Sequence, residues 1–229
     1  MLTGKALIIF SGGQDSTTCL YWALKNFGHR NVEAITFDYG QRHKIEIESA
    51  IAISKIANVS IEVIPINTFE SIGNSALTSN ETKVKNDLSI ETNLPNTFVP
   101  GRNIIFLTFA AAYAYKKKIL NLVTGVAQTD YSGYPDCRQE TIRATEESIK
   151  LGMEFDIKIH TPLMFKSKKQ TVEMALELGA LEAIGYSHTC YNGERPPCGT
   201  CQACNLRNKG FSEAGISDPL LAQFKEDGP

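Results

Sequence analysis

Nine consecutive residues near the start of the chain combine paired glycines, hydroxyls and one carboxylate: Phe10-Ser11-Gly12-Gly13-Gln14-Asp15-Ser16-Thr17-Thr18. Glycines let a backbone turn sharply and let a ligand come close to it. Asp15, Ser16 and Thr17 are residue types that open helices. The free N–H groups and the dipole at such a helix start attract an anion. Ser11, Ser16 and Thr17 add hydroxyl donors, so the stretch reads as a phosphate cradle. No Gly-Lys-Ser/Thr follows, so it is not a Walker A loop. No Gly-x-Ser-x-Gly frame is present, so it is not a nucleophile elbow.

A second set is the four cysteines Cys190, Cys198, Cys201 and Cys204. Thiolates two residues apart reach one metal from a tight turn. Four of them close the coordination of a tetrahedral Zn2+, the structural rather than the catalytic arrangement. An iron–sulfur cluster uses the same four thiolates and is the alternative occupant. Arg195 and Arg207 are candidates to offset the charge of the thiolates. Cys19 reads as a small core residue on the first helix.

A third set lies between Gly125 and Arg138, where Asp130, Tyr131, Tyr134, Asp136, Cys137 and Arg138 fall close together. Two carboxylates, two tyrosines, a thiol and an arginine in so few residues form a dense set of recognition groups, and the tyrosines can stack on a ring. Arg102, at the start of an apolar helix, suits a phosphate or a carboxylate, which a guanidinium grips bidentately. His43 and His188 have no partner visible in the sequence and read as structural.

The elements that must position these groups alternate. The apolar run Ala6–Phe10 reads as a strand, and Leu20, Ala23, Leu24 and Phe27 mark one face of the helix that follows. Val32–Asp38, Ile61–Ile66, Ile119–Thr124 and Ile157–Thr161 read as four more strands. Helices are expected over Lys44–Ala57, Ile104–Lys117, Gln139–Leu151 and Ser167–Leu178. This alternation predicts an α/β fold, a doubly wound parallel five-stranded sheet with helices on both faces. The fourth strand should lie beside the first, so the loops after Phe10 and after Thr124 face each other across the switch point. Residues 67–100 break the rhythm and form an irregular loop, either a lid over the nucleotide or a surface excursion. The expected division is an α/β domain over 1–186 and a small cysteine-containing zinc segment with a C-terminal helix over 187–229.

The chain has 229 residues and a net charge of −2, with no global basic field to attract nucleic acid. The longest mostly apolar run, Phe106–Tyr115, is too short to span a bilayer. No signal peptide is evident at the start. The expectation is a cytoplasmic protein without a membrane partner, in which clustered cysteines favour metal over disulfide.

The loop Ser11-Gly-Gly-Gln-Asp-Ser16 resembles the pyrophosphate-binding loop of the N-type ATP pyrophosphatases, which cleave ATP between its α and β phosphates and transfer AMP to a substrate oxygen. The wider combination resembles the QueC family of 7-cyano-7-deazaguanine synthases of queuosine biosynthesis. The matching segments are Phe10–Leu20, Phe37–His43, Val99–Asn103, Asp130–Arg138, Thr161–Met164 and the four cysteines with Leu206-Arg207. They span nearly the whole chain in order; residues 67–98 match nothing. Phe165-Lys166 stands where a Trp-Leu pair is commoner in relatives.

The resemblance implies that 7-carboxy-7-deazaguanine and ammonia become the 7-cyano base through an adenylated carboxylate and an adenylated amide. ATP, Mg2+ and Zn2+ are the implied cofactors. It implies a nucleotide site of Phe10 to Thr18 with Lys168, in which Asp15 and Lys168 act on the reaction. Main-chain groups around Thr36–Asp38 would read the adenine, and one aspartate, Asp136 in preference to Asp130, would accept from the adjacent ring N–H and amino donors of the deazaguanine, with Arg138 or Arg102 at its carboxylate. It further implies a homodimer, for which the helix at Ile104 offers an apolar face. The rival readings are a tRNA-modifying ATP pyrophosphatase and a non-enzymatic zinc RNA-binding module.

Overall fold

A computed structural model of the chain describes residues 2–41, 43–67, 75–77, 94–128 and 133–224. Five strands, β1 (Ala6–Ile9), β2 (Val32–Asp38), β3 (Ile61–Pro65), β4 (Asn121–Val123) and β5 (Lys158–His160), pair in parallel in the order β3-β2-β1-β4-β5. Ala6 aligns with Val32 on one side and with Asn121 on the other. The winding therefore reverses between β1 and β4, as the alternation of elements requires. β2 matches its expected run, and the other four strands are one to three residues shorter, because residues such as Phe10, Ile119 and Thr124 already belong to loops.

Helices cover both faces. On one lie α1 (Gln14–Phe27) and α2 (Ile45–Ile56), and on the other α3 (Arg102–Lys117) and α4 (Gln139–Met153). Successive residues of β1 point to opposite faces, and both faces are buried, so the strand is apolar throughout. Ala6, Ile8 and Phe10 pack with Leu20, Ala23 and Leu24 of α1 and with Ala50 and Ile53 of α2. Leu7 packs in the other layer, with Leu107, Ala110 and Ala114 of α3 and Ile142 and Ile149 of α4. Only one stripe of α3 is buried; Ile104, Phe109 and Tyr115 are 40%, 46% and 55% exposed. Pro65, which cannot donate to a ladder, ends β3 at the sheet edge.

The C-terminal part adds α5 (Lys168–Glu177), α6 (Leu181–Gly185), α7 (Gln202–Ala214) and α8 (Pro219–Ala222). Phe211 of α7 packs with Val172 and Ala175 of α5 and with Ile184 of α6. Arg207, buried on α7, donates from Nε and Nη2 to the two carboxylate oxygens of Asp218 at 2.6 and 2.8 Å. It also donates to Ser187 Oγ at 2.8 Å, and Asp218 caps α8 through the Leu220 N–H. Arg207 was expected to balance the cysteine thiolates. Its charge is instead spent on Asp218, a partner eleven residues on that lies outside the cysteine motif.

Candidate active site

The loop after β1 ends in a helix start with no side-chain cap. Gly13 is the N-cap of α1, and Thr17 N–H makes the first helical bond to the Gly13 carbonyl at 3.0 Å. The earlier N–H groups of the helix have no helical partner. Gly12 sits at φ +79°, and a Cβ there would lie 2.4 Å from the Glu46 carbonyl. The loop is thus in backbone contact with the first turn of α2. Across the switch point, a Cβ on Gly125 would lie 3.0 Å from Ser16 N. Glycine at these two positions lets three segments converge.

A cavity of about 290 Å³ opens at this convergence. Phe10, Ser11, Gly13, Gln14, Asp15, Ser16 and Lys168 of the expected nucleotide set line it. Ser11 and Ser16 hydroxyls lie 3.1 Å apart. Lys168 Nζ donates to Asp15 Oδ2 at 2.6 Å, across 153 positions of sequence, while Asp15 Oδ1 is buried without a hydrogen-bond partner among the described residues. Lys168 is held by its helix start: Ser167 Oγ accepts from Gln170 N–H, and Gln170 Oε1 accepts from Ser167 N–H at 2.9 Å. Gly210 of α7 lets that helix press on Lys168, where a Cβ would meet the lysine Cβ at 3.0 Å. Three expected residues stay outside the lining. Gly12 faces α2, and the buried Thr17 and Thr18 hydroxyls donate back to the Gly13 and Gln14 carbonyls at 2.8 and 3.0 Å.

The far wall is aromatic and charged. Phe37 stacks on Phe106 with ring centroids 4.6 Å apart, and Tyr39 leans on Phe106. Arg102 lies over both Tyr39 and Tyr134, 5.9 Å from each ring centre, and donates to Tyr39 OH at 3.4 Å. Burial opposes the charge of Arg102, but Tyr39, Tyr134, Asp136 and Tyr191 together hold it above the usual range for a guanidinium. Glu46 of α2 also lines the cavity. Burial pushes its carboxyl up to about 7, against the pull of Arg102. The Tyr134 hydroxyl meets Thr97 Oγ1 at 2.6 Å, which ties down the end of the 67–100 loop.

The 130–138 loop divides. Asp130 and Tyr131 lie outside the described residues, as does most of the 67–100 segment expected to act as a lid. Tyr134 and Cys137 line the cavity. Asp136, expected to read a base, is buried and faces elsewhere: its Oδ2 accepts the Asn103 N–H at 2.9 Å and so caps α3. The helix start competes for that carboxylate and wins, because its N–H groups have no other partner. Arg138, expected at the substrate carboxylate, is exposed at the start of α4 and does not line the cavity. Glu46 was not anticipated. Its place in the first turn of α2 resembles that of any solvated helix-start acid.

Beside the cavity, the sulfurs of Cys190, Cys198, Cys201 and Cys204 lie within 4.8 Å of one another. Cys198 and Cys204 sulfurs are 3.8 Å apart. A tetrahedral ion with bonds of about 2.3 Å sets its sulfurs about 3.8 Å apart, so the four residues fit a structural metal. Cys201 is the N-cap of α7, whose Ala203, Leu206 and Arg207 line the cavity. His188 connects the two sites: its N–H donates to the Gly12 carbonyl and its Nε2 lies 3.0 Å from the Cys190 carbonyl. Burial lowers its pKa, which suits a structural role.

Fold and crevice define a doubly wound α/β protein with a glycine-rich helix start at its switch point and a four-cysteine cluster beside it that fits a metal. The model of the family described as queuosine biosynthesis protein QueC matches residues 5–215. A 7-cyano-7-deazaguanine synthase from Chromobacterium violaceum is 58% identical over 97% of this chain and 95% of its own length. One from Laribacter hongkongensis is 59% identical over 94% of this chain and 93% of its own. A solved NH3-dependent NAD synthetase from Campylobacter jejuni matches at 14% identity and a TM-score of 0.47, over 97% of this chain and 82% of that one. The chain belongs to the QueC family. Among the described residues, no helix is long and apolar enough to cross a membrane.

Proposed function

We propose that the protein converts 7-carboxy-7-deazaguanine and ammonia to 7-cyano-7-deazaguanine at the expense of two ATP. The observation that carries this reading is one cavity holding an uncapped helix start with the Asp15–Lys168 pair at one side, and Arg102 among aromatic rings at the other. The first suits a triphosphate, and the second a flat base that bears a carboxylate.

A carboxylate oxygen leaves only once activated. In the first round it attacks the α-phosphorus of ATP, pyrophosphate departs, and ammonia displaces AMP to give the amide. In the second round the amide oxygen attacks a second ATP. Loss of AMP and of both N–H protons then leaves the nitrile. The α1 N–H groups with Ser11 and Ser16 bind the departing pyrophosphate. Lys168 follows charge from Asp15 to phosphate. Asp15, with its orphaned Oδ1, is the carboxylate that would hold Mg2+, and that ion would screen the triphosphate. Asp136 serves from behind by fixing the start of α3 and hence Arg102. Zn2+ is the metal we assign to the four cysteines, where it would hold the start of α7 against Lys168.

The exposed Ile104, Phe109 and Tyr115 of α3 support a homodimer, and the lack of a membrane span among described residues suits a cytoplasmic enzyme. Mass spectrometry of products from ATP, ammonium and the carboxy base tests the reading. Nitrile with two AMP and two pyrophosphate is expected, and amide should accumulate under limiting ATP. Asp15→Ala should abolish turnover with the fold intact. Release of ADP and phosphate, or tight binding of bulk tRNA without small-molecule turnover, would overturn it.

A further inference from the structure

We propose that Glu46 determines specificity for the substrate base, accepting from its ring N–H and exocyclic amino group while Arg102 holds its carboxylate. The inference rests on the reaction proposed above and assigns a residue that the sequence motifs do not mark.

Among the described residues, two acids line the cavity, Asp15 and Glu46. Asp15 is engaged by Lys168. Among the described residues, none donates a hydrogen bond to Glu46 and none forms an ion pair with it. On the cationic side, the only hydrogen bond of the Arg102 guanidinium among the described residues is the long one to Tyr39 OH. Acceptor and donor thus share one cavity and one electrostatic field, with Tyr39 and Tyr191 beside both, yet they do not close on each other. A half-buried carboxylate without a partner among the described residues is a poor choice for stability, and its desolvation is offset only when a ligand supplies donors.

The ligand chemistry follows from the pair. An ionised carboxylate has two oxygens that accept only. A guanine-like edge offers two adjacent donors, ring N–H and amino, which match it. An adenine edge sets one amino donor beside a ring-nitrogen acceptor, which would face the carboxylate unfavourably. The anionic group at the other end of the base requires a cation, and Arg102 is the one placed over the aromatic wall. Backbone contact of Gly12 with Glu46 fixes the distance between the base reader and the phosphate cradle. Asp136, the other acid proposed for this task, is already capping α3.

The test is steady-state kinetics of wild type, Glu46→Gln and Glu46→Asp with 7-carboxy-7-deazaguanine and with its analogue lacking the 2-amino group. Wild type should prefer the amino base roughly 10- to 100-fold or more in kcat/KM, because a missing donor leaves the half-buried carboxylate unpaired. Glu46→Gln should lose about 10- to 100-fold for the amino base, mainly in KM, and its preference should collapse toward unity. KM for ATP should stay unchanged. A parallel rise in KM for ATP would make Glu46 an adenine contact. A fall in kcat at constant KM would make it a proton acceptor. Retained discrimination would remove it from the site altogether. Each of these overturns the proposal. Should the Gln variant fail a thermal-melt check of folding, Glu46→Asp must show the same KM-weighted loss. Wild type that makes no nitrile overturns the reaction as well; wild-type turnover matched by Glu46→Gln overturns this inference alone.

Discussion

Gly125→Ala isolates the spacing between the two loops of the switch point. Gly125 is not in the left-handed region, so alanine brings no backbone strain there. Its Cβ would lie 3.0 Å from Ser16 N, 3.1 Å from the Asp15 carbonyl carbon and 3.2 Å from Ser16 Cα. Ordinary van der Waals contact begins near 3.4 Å, so the loop must withdraw by about 0.4 Å. All three neighbours are backbone atoms of the first turn of α1, which no side-chain rotation can move aside. Overpacking of this kind costs about 1–3 kcal/mol of stability. A misplacement of 1 Å costs on the order of 100-fold in rate, so this shift should lower kcat/KM for ATP about 10-fold. KM for the deazaguanine base should change little, because the displaced turn carries Asp15 and Ser16 rather than the aromatic wall. Pyrophosphate release at varied ATP reads the effect, and a thermal melt reads the stability. Gly152→Ala is the control: a Cβ there meets nothing within 4 Å, and alanine should stabilise α4 by roughly 0.5–1 kcal/mol. Wild-type kinetics with ATP in Gly125→Ala would refute the view that this contact sets the position of the phosphate loop.

Arg207→Leu should destabilise the protein by about 3–5 kcal/mol, because it strands the buried Asp218 carboxylate, and the double change with Asp218→Leu should recover part of that in chemical denaturation. Cys201→Ala should lose one equivalent of zinc by elemental analysis and lower Tm, since metal binding is folding free energy for so short a segment; finding iron, or no stoichiometric metal, in the native protein would refute the assignment. Glu46 sets a pH dependence of stability without ligand. Its folded pKa of about 7 exceeds its ordinary value of 4.5, so its contribution is full below 4.5 and is lost as pH rises through 7. Glu46→Gln should therefore match wild type near the acid end of that window and melt higher than wild type above it; parallel melting curves across the range would refute a raised carboxyl pKa at Glu46.

The sequence by itself determined the sheet, its switch point, the turn into a helix after β1 and the cysteine knuckle. Each is a local pattern: an apolar run, paired glycines before a helix, thiols at fixed spacing. Two residues 153 apart, Asp15 and Lys168, were each legible from their own motif, although their 2.6 Å contact was not. Only the tertiary structure decided which side chains were already spoken for. Asp136 and Arg207 carry the right chemistry for the roles expected of them, but an unsatisfied helix start claims the one and a buried aspartate claims the other. The reverse case is Glu46. It stands two residues from Glu48 in the same helical turn, and the two are alike in sequence. Glu48 is exposed, whereas Glu46 faces Arg102 across the cavity. Helical phase against the sheet, set by the packing of Ala50 and Ile53, makes one a solvated charge and the other a candidate reader of the base.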